Sequence, residues 1–92
     1  MVEAFEIDSQ AKMIPAEGNI HKTETHKVLV YIDHDTKTIY LWRGKKAGVV
    51  KKLVGTRVAA RLSHKYNDYR IRPIAEDNEP AAFLDLINES IP

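Results

Sequence analysis

Val28-Leu29-Val30-Tyr31-Ile32 and Ile39-Tyr40-Leu41-Trp42 are two short, wholly apolar runs separated by Asp33-His34-Asp35-Thr36-Lys37-Thr38. Runs of β-branched and aromatic residues without polar alternation form strands that need cover on both faces. The residues between them favour a turn, because their side chains bond nearby backbone groups. The two runs therefore read as a hairpin that is covered on both faces.

Beyond Arg43-Gly44 the period changes. From Ala47 to Tyr66 no proline interrupts a stretch rich in Val, Leu, Ala, Lys and Arg, as expected for a helix of about five turns. At 100° per residue Ala47, Val54, Val58 and Leu62 share one arc, with Lys51, Gly55, Ala59 and Tyr66 beside it. Glycine in a helix interior costs about 1 kcal/mol relative to alanine. Gly55, on the buried side and next to Ala59, is best explained by close approach to a sheet.

Asn67-Asp68 closes the helix, and Tyr69 to Ile74 alternates as a strand whose Pro73 marks an edge or bulge. Glu79-Pro80 opens a last helix with proline at its first position and Phe83, Leu84, Leu86 and Ile87 as the apolar set. Ahead of the hairpin, Ala4 to Ile7 and Met13-Ile14-Pro15 read as one edge strand or two with loops. Two apolar strands need two covers and two helices are present, so a central mixed sheet between helices is the economical α/β (α+β) arrangement.

The chain has 92 residues, 43% hydrophobic and 29% charged, which fits a single domain over 1–92. The absence of cysteine excludes a disulfide scaffold, a zinc ribbon and a thiolate nucleophile. No apolar run reaches the roughly 18 residues of a membrane span, and Met1 to Asp8 is acidic and unlike a signal peptide. The expected location is the cytoplasm.

The net charge of +1 hides three unlike blocks. Residues 1–42 carry four cations against seven anions, residues 43–72 carry ten cations against Asp68 alone, and the remaining tail carries five carboxylates. One face therefore suits an anionic partner.

Catalytic patterns are missing. There is no phosphate-binding glycine loop, and His21, His26, His34 and His64 have no metal-ligand spacing. Asp33-x-Asp35 lacks the glycine and glutamate of a calcium loop, since Thr38 and Gly44 hold those places. Ser9, Ser63 and Ser90 lack a nucleophile setting, and Asn88-Glu89-Ser90 is an incidental sequon. The chain reads as a binding protein that needs no cofactor or metal.

Two surfaces could bind. On the helix, Val49, Leu53, Thr56 and Ala60 form a second apolar stripe opposite the core arc, bordered by Arg57, Arg61 and His64. An exposed apolar stripe with a polar rim is a helix-in-groove surface. At the start of the helix, Lys45, Lys46, Lys51 and Lys52 cluster where the helix dipole favours anions, so phosphoinositide head groups or an acidic protein form the alternative reading. Nucleic acid is not expected, because the aromatic platform is limited to Tyr40, Trp42 and Tyr66.

Taken in order, VLVYID at 28–33, IYLWRGKKA at 39–47, VGTRVAARL at 54–62 and YRIRPIAEDNEPAAF at 69–83 resemble a gelsolin/villin/severin homology domain. That family shows F-I-L-D, I-Y-V-W-K-G-K-x-A, a small-residue helix seam and V-x-V-x-E-G-x-E-P-x-x-F. The likeness spans residues 28–87 and is loose over the first 26. It implies a five-stranded mixed sheet between a long helix along the strands and a short one crossing them, with actin as partner. It also implies that the outer face of the long helix enters the actin cleft. Severing in the family uses several linked domains, so one domain suits binding of monomer. The same fold serves adaptor modules that do not touch actin, which keeps a non-actin adaptor as the alternative.

Two positions depart from the family pattern. Aligned on Asp33, the slot of the intradomain calcium aspartate holds Val28 and that of the helical glutamate holds Lys51. Calcium independence is expected, with the Lys51 ammonium taking the ion's place near backbone carbonyls. The family's Glu-Gly after the last strand is Glu76-Asp77 here, and an altered turn is expected.

Overall fold

The computed structural model describes residues 1–16 and 23–89. The hairpin expected from the two apolar runs is β3 (Val28–Asp33) and β4 (Thr38–Arg43), paired antiparallel with Tyr31 opposite Tyr40. Every residue of β3 is buried, and so is all of β4 except its last residue. Before it come β1 (Val2–Ile7) and β2 (Met13–Pro15), and after it β5 (Arg70–Ala75). The sheet order is β2-β1-β3-β4-β5, antiparallel throughout except for the parallel pair β4–β5. A parallel neighbour requires a crossover. That crossover is α1 (Val49–Lys65).

The two faces of the sheet hold separate cores. On one face Val28, Val30, Ile32, Ile39 and Leu41 pack with Val58, Ala59 and Leu62 of α1. On the other, Leu29, Tyr31, Tyr40 and Trp42 pack with Phe83 and Ile87 of α2 (Ala81–Glu89). Phe83 meets the edge of Tyr31 at 5.1 Å between centroids, and Trp42 Nε1 donates to Glu79 just ahead of α2. Burial pushes the Tyr31 phenol up to about 12. The two alternating sets of the hairpin thus supply one core each, which is why neither run shows polar alternation.

Gly55 accounts for the fit of α1. A Cβ there would lie 2.8 Å from Val28 Cγ1, so only glycine lets the helix reach this distance from β3. Ala47, expected as the first helical core residue, is buried in the turn before the helix, and Gly48 at φ 84 is the N-cap. Tyr66 is the C-cap.

Three readings need adjustment. The sheet edge before the hairpin is β2, whereas β1 lies inside the sheet. The mixed polarity of β1 arises because its carboxylates reach partners past the strand ends: Glu3 bonds His34 Nε2 at 2.5 Å and Glu6 pairs with Lys27 at 3.0 Å. Leu84 is 42% exposed while Phe83 and Ile87 are buried, since a nine-residue helix on a sheet buries only one stripe. The turn after β5 keeps the shape a glycine would give it, with Asn78 N–H donating to Ala75 C=O and Asp77 at φ 71 in the left-handed region. Aspartate tolerates that region better than most residues.

Candidate functional site

The start of α1 is fixed by a network around Gly44. Its N–H donates to Lys27 C=O, and a Cβ at Gly44 would lie 2.2 Å from Thr25 O, so the segments around 25 and 44 are in backbone contact. Thr25 Oγ1 and the Lys45 N–H both donate to Glu76 Oε1, at 2.6 and 2.8 Å. These donors hold the Glu76 carboxyl below its usual range, the Thr25 hydroxyl most strongly. Loops from three parts of the chain therefore aim the first turn of α1.

That turn emerges with an apolar surface in water. Val49, Val50 and Leu53 are 74%, 64% and 61% exposed, and no acidic residue lies in the turn. Thr56 and Ala60 continue the stripe, and Arg57, Arg61 and His64 border it; all five are exposed. The Thr56 hydroxyl donates to Lys52 C=O, which satisfies its polar end within the helix. The seven residues read from the wheel thus share one open face. Val50 was missed, because wheel geometry moves it off the stripe axis. Its signal was its adjacency to Val49 in the first turn of the helix.

Arg61 is only partly free. Its Nη2 donates to Ala11 C=O at 2.6 Å, tying α1 to the β1–β2 turn, where Ala11 sits at φ 63. Asp8 shapes the same turn, accepting the N–H groups of Gln10 and Lys12. The Lys12 N–H, followed by that of Gln10 and the fields of Lys12 and Lys51, holds the Asp8 carboxyl below its usual range against a smaller opposing effect of burial.

The four lysines do not make one open basic patch. Lys45 pairs with Asp77 and its ammonium feels Glu76 and Glu79, so the acidic tail neutralises the end of the block. Lys46 is exposed, whereas Lys51 and Lys52 are half-buried on the sides of α1. Charge counting along the sequence could not show that residues 76–79 fold back onto residue 45.

The calcium ligand set does not fit. Val28 is wholly buried and packs against Gly55, so the aspartate slot is filled with aliphatic atoms. Lys51 makes no hydrogen bond to a backbone carbonyl among the described residues; the countercharge within its reach is Asp8. Lys51 therefore offers a fixed positive charge to the site but does not substitute for the ion as expected. No three His, Asp or Glu side chains converge on a metal position among the described residues.

No helix is long and apolar enough to cross a membrane among the described residues. No protein-family model matches the sequence, and no curated protein matches it. Among solved structures, Thorarchaeota ProGel, crystallised in complex with rabbit actin, is 67% identical with a TM-score of 0.88. The match covers 95% of this chain and 99% of that one. Thorarchaeota 2DGel3, also crystallised with rabbit actin, has a TM-score of 0.75 at 20% identity, covering 92% of this chain and 42% of that one, and speaks to the fold alone.

Proposed function

The chain belongs to the gelsolin-like family, and from that premise we propose that it binds actin through the outer face of α1 and acts by association rather than catalysis. The observation that carries the reading is the exposed aliphatic group Val49, Val50 and Leu53 on a rigidly aimed helix start. Large aliphatic side chains held in water on a well-packed domain are a docking surface, since burying each is worth about 1.5–3 kcal/mol. ProGel, with 67% identity over nearly the whole chain, was crystallised with actin, which supports the same partner here.

Val49 and Leu53 seat in an apolar cleft, Val50 widens the contact, and Ala60 lets the later turns approach closely. Arg57, Arg61 and His64 form the polar border. One domain of this kind is suited to binding actin monomer and slowing assembly, and with Val28 and Lys51 in the carboxylate slots it does so without calcium. The test is actin-monomer affinity of the chain and of Leu53→Asp. The variant should bind at least about 2 kcal/mol more weakly while melting normally, the size of an interface hot spot. Unchanged affinity in a folded variant would exclude this face.

A further inference from the structure

We infer that the flank of α1 beside the apolar stripe receives an acidic segment of the same actin partner, an assignment that rests on the actin reading above. An open groove of about 520 Å³ lies between α1 and the β1–β2 turn, with Met13, Val58 and Leu62 as its apolar lining and Lys12, Arg61 and Lys65 as its cations. Among the described residues no carboxylate lines it.

Of these cations Lys12 lies in the field of Asp8, while Arg61 and Lys65 have no ion-pair partner among the described residues. Helix α1 contains five Lys and Arg and no Asp or Glu. Arg61 uses one nitrogen on Ala11 C=O and keeps the rest of its fork, while the Lys65 ammonium lies 5.3 Å from the Tyr66 ring centre. Asp8 Oδ1 accepts two backbone N–H groups of the turn, and its charge offsets Lys12 in part and leaves Arg61 and Lys65 to the groove.

Position selects the occupant. Arg57, Arg61 and Lys65 repeat every four residues, so they line one side of the helix, and Arg61 and Lys65 of that line also edge the groove. The groove is therefore continuous with the border of the apolar stripe, and a protein that follows the helix from Val49 and Leu53 toward its C-terminal end meets it. Apolar centre and charged border are the usual parts of one protein interface, the border setting register and encounter rate. Carboxylates of the partner, with an aliphatic neighbour over Met13 and Leu62, match both the rim and the floor.

The experiment is charge reversal of two groove cations outside the stripe, Lys12→Glu with Lys65→Glu, with actin-monomer affinity measured at low and at raised salt. The double variant should melt near wild type, bind actin about tenfold or more weakly at low salt, and approach wild-type affinity as salt screens the groove. Wild-type affinity and salt slope in the folded variant would overturn the groove while leaving the stripe in place. A loss that does not shrink with salt would overturn it too, as would lost binding to vesicles containing anionic lipid with actin affinity intact. If the unaltered chain binds no actin at either salt, the actin reading itself falls, and the groove assignment with it.

Discussion

On its inner side α1 carries Gly55, Val58, Ala59 and Leu62, all buried against the sheet, whereas the outer side of the same helix holds Val49, Val50 and Leu53 in water. Contact with Val28 leaves no room for a side chain at position 55, Ala59 is small as well, and Val58 and Leu62 fill the rest of the inner side. The outer side holds aliphatic side chains of the same kind, valine and leucine, in water where folding has no use for them. Residues fitted to a neighbour inside the molecule answer to stability; residues of the same chemistry without an internal neighbour are left for the docking role proposed above.

Substitution on opposite sides of one helical turn breaks the comparison most sharply. Gly55→Leu should destabilise the fold by about 3 kcal/mol, since the added atoms must displace Val28 and β3. Leu53→Asp, two residues away, should change stability by no more than about 0.5 kcal/mol, because the site is exposed. Thermal or urea melts of both variants decide it. If Leu53→Asp unfolds the chain, the outer face has an internal partner and the contrast fails.

Much of this arrangement is legible from residue order. The hairpin, the crossover helix, its glycine seam, and Phe83 and Ile87 of α2 follow from apolar period and punctuation. The outer stripe follows from the same period taken from the opposite side. What residue order hides is contact between distant segments. Lys45 reads as free positive charge until Asp77 folds onto it, and Glu3 is one anion among seven in its block until His34 is found beside it. The groove is hidden for the same reason, since Lys12 and Lys65 lie 53 positions apart in the chain.

The turn at Asp77 sharpens the comparison from a third region, where a side chain answers to backbone conformation. At φ 71 a β-branched residue is strained, so Asp77→Val should cost about 1–2 kcal/mol, whereas Asp77→Gly should stay within about 1 kcal/mol of wild type. Denaturant midpoints of the two variants check the order. Val equal to Gly would mean that the turn is not held in the left-handed region.

Acid should loosen the support of α1 before it touches the outer face. The folded Glu76 carboxyl lies below its ordinary value of 4.5, so its contribution is fully present above 4.5 and is lost as pH falls through the lower, folded value. The effect is small, because the group is in contact with water. Thr25→Val removes the strongest donor and should flatten the acid limb of a stability profile, while Leu53→Asp should leave the Glu76 part of that limb in place.

The smallest expected effect is that of calcium, and it belongs to the inner side of the comparison. Ca²⁺ takes six to eight oxygens at about 2.3–2.6 Å, with carboxylates supplying most of the affinity. Val28 fills one family carboxylate slot with a buried aliphatic side chain in contact with the α1 seam. Lys51 brings positive charge to the other, with Asp8 within its field rather than within the slot. An ion would have to displace core packing on one side and overcome repulsion on the other, with backbone carbonyls and water as its ligands. Melting temperature and actin affinity should therefore be the same in chelator and in calcium. Val28→Asp with Lys51→Glu restores the two carboxylates and should make stability calcium-dependent. Stoichiometric, tight calcium binding by the unaltered chain in a calorimetric titration would show that other oxygens form the site, and would remove Val28 and Lys51 from the argument.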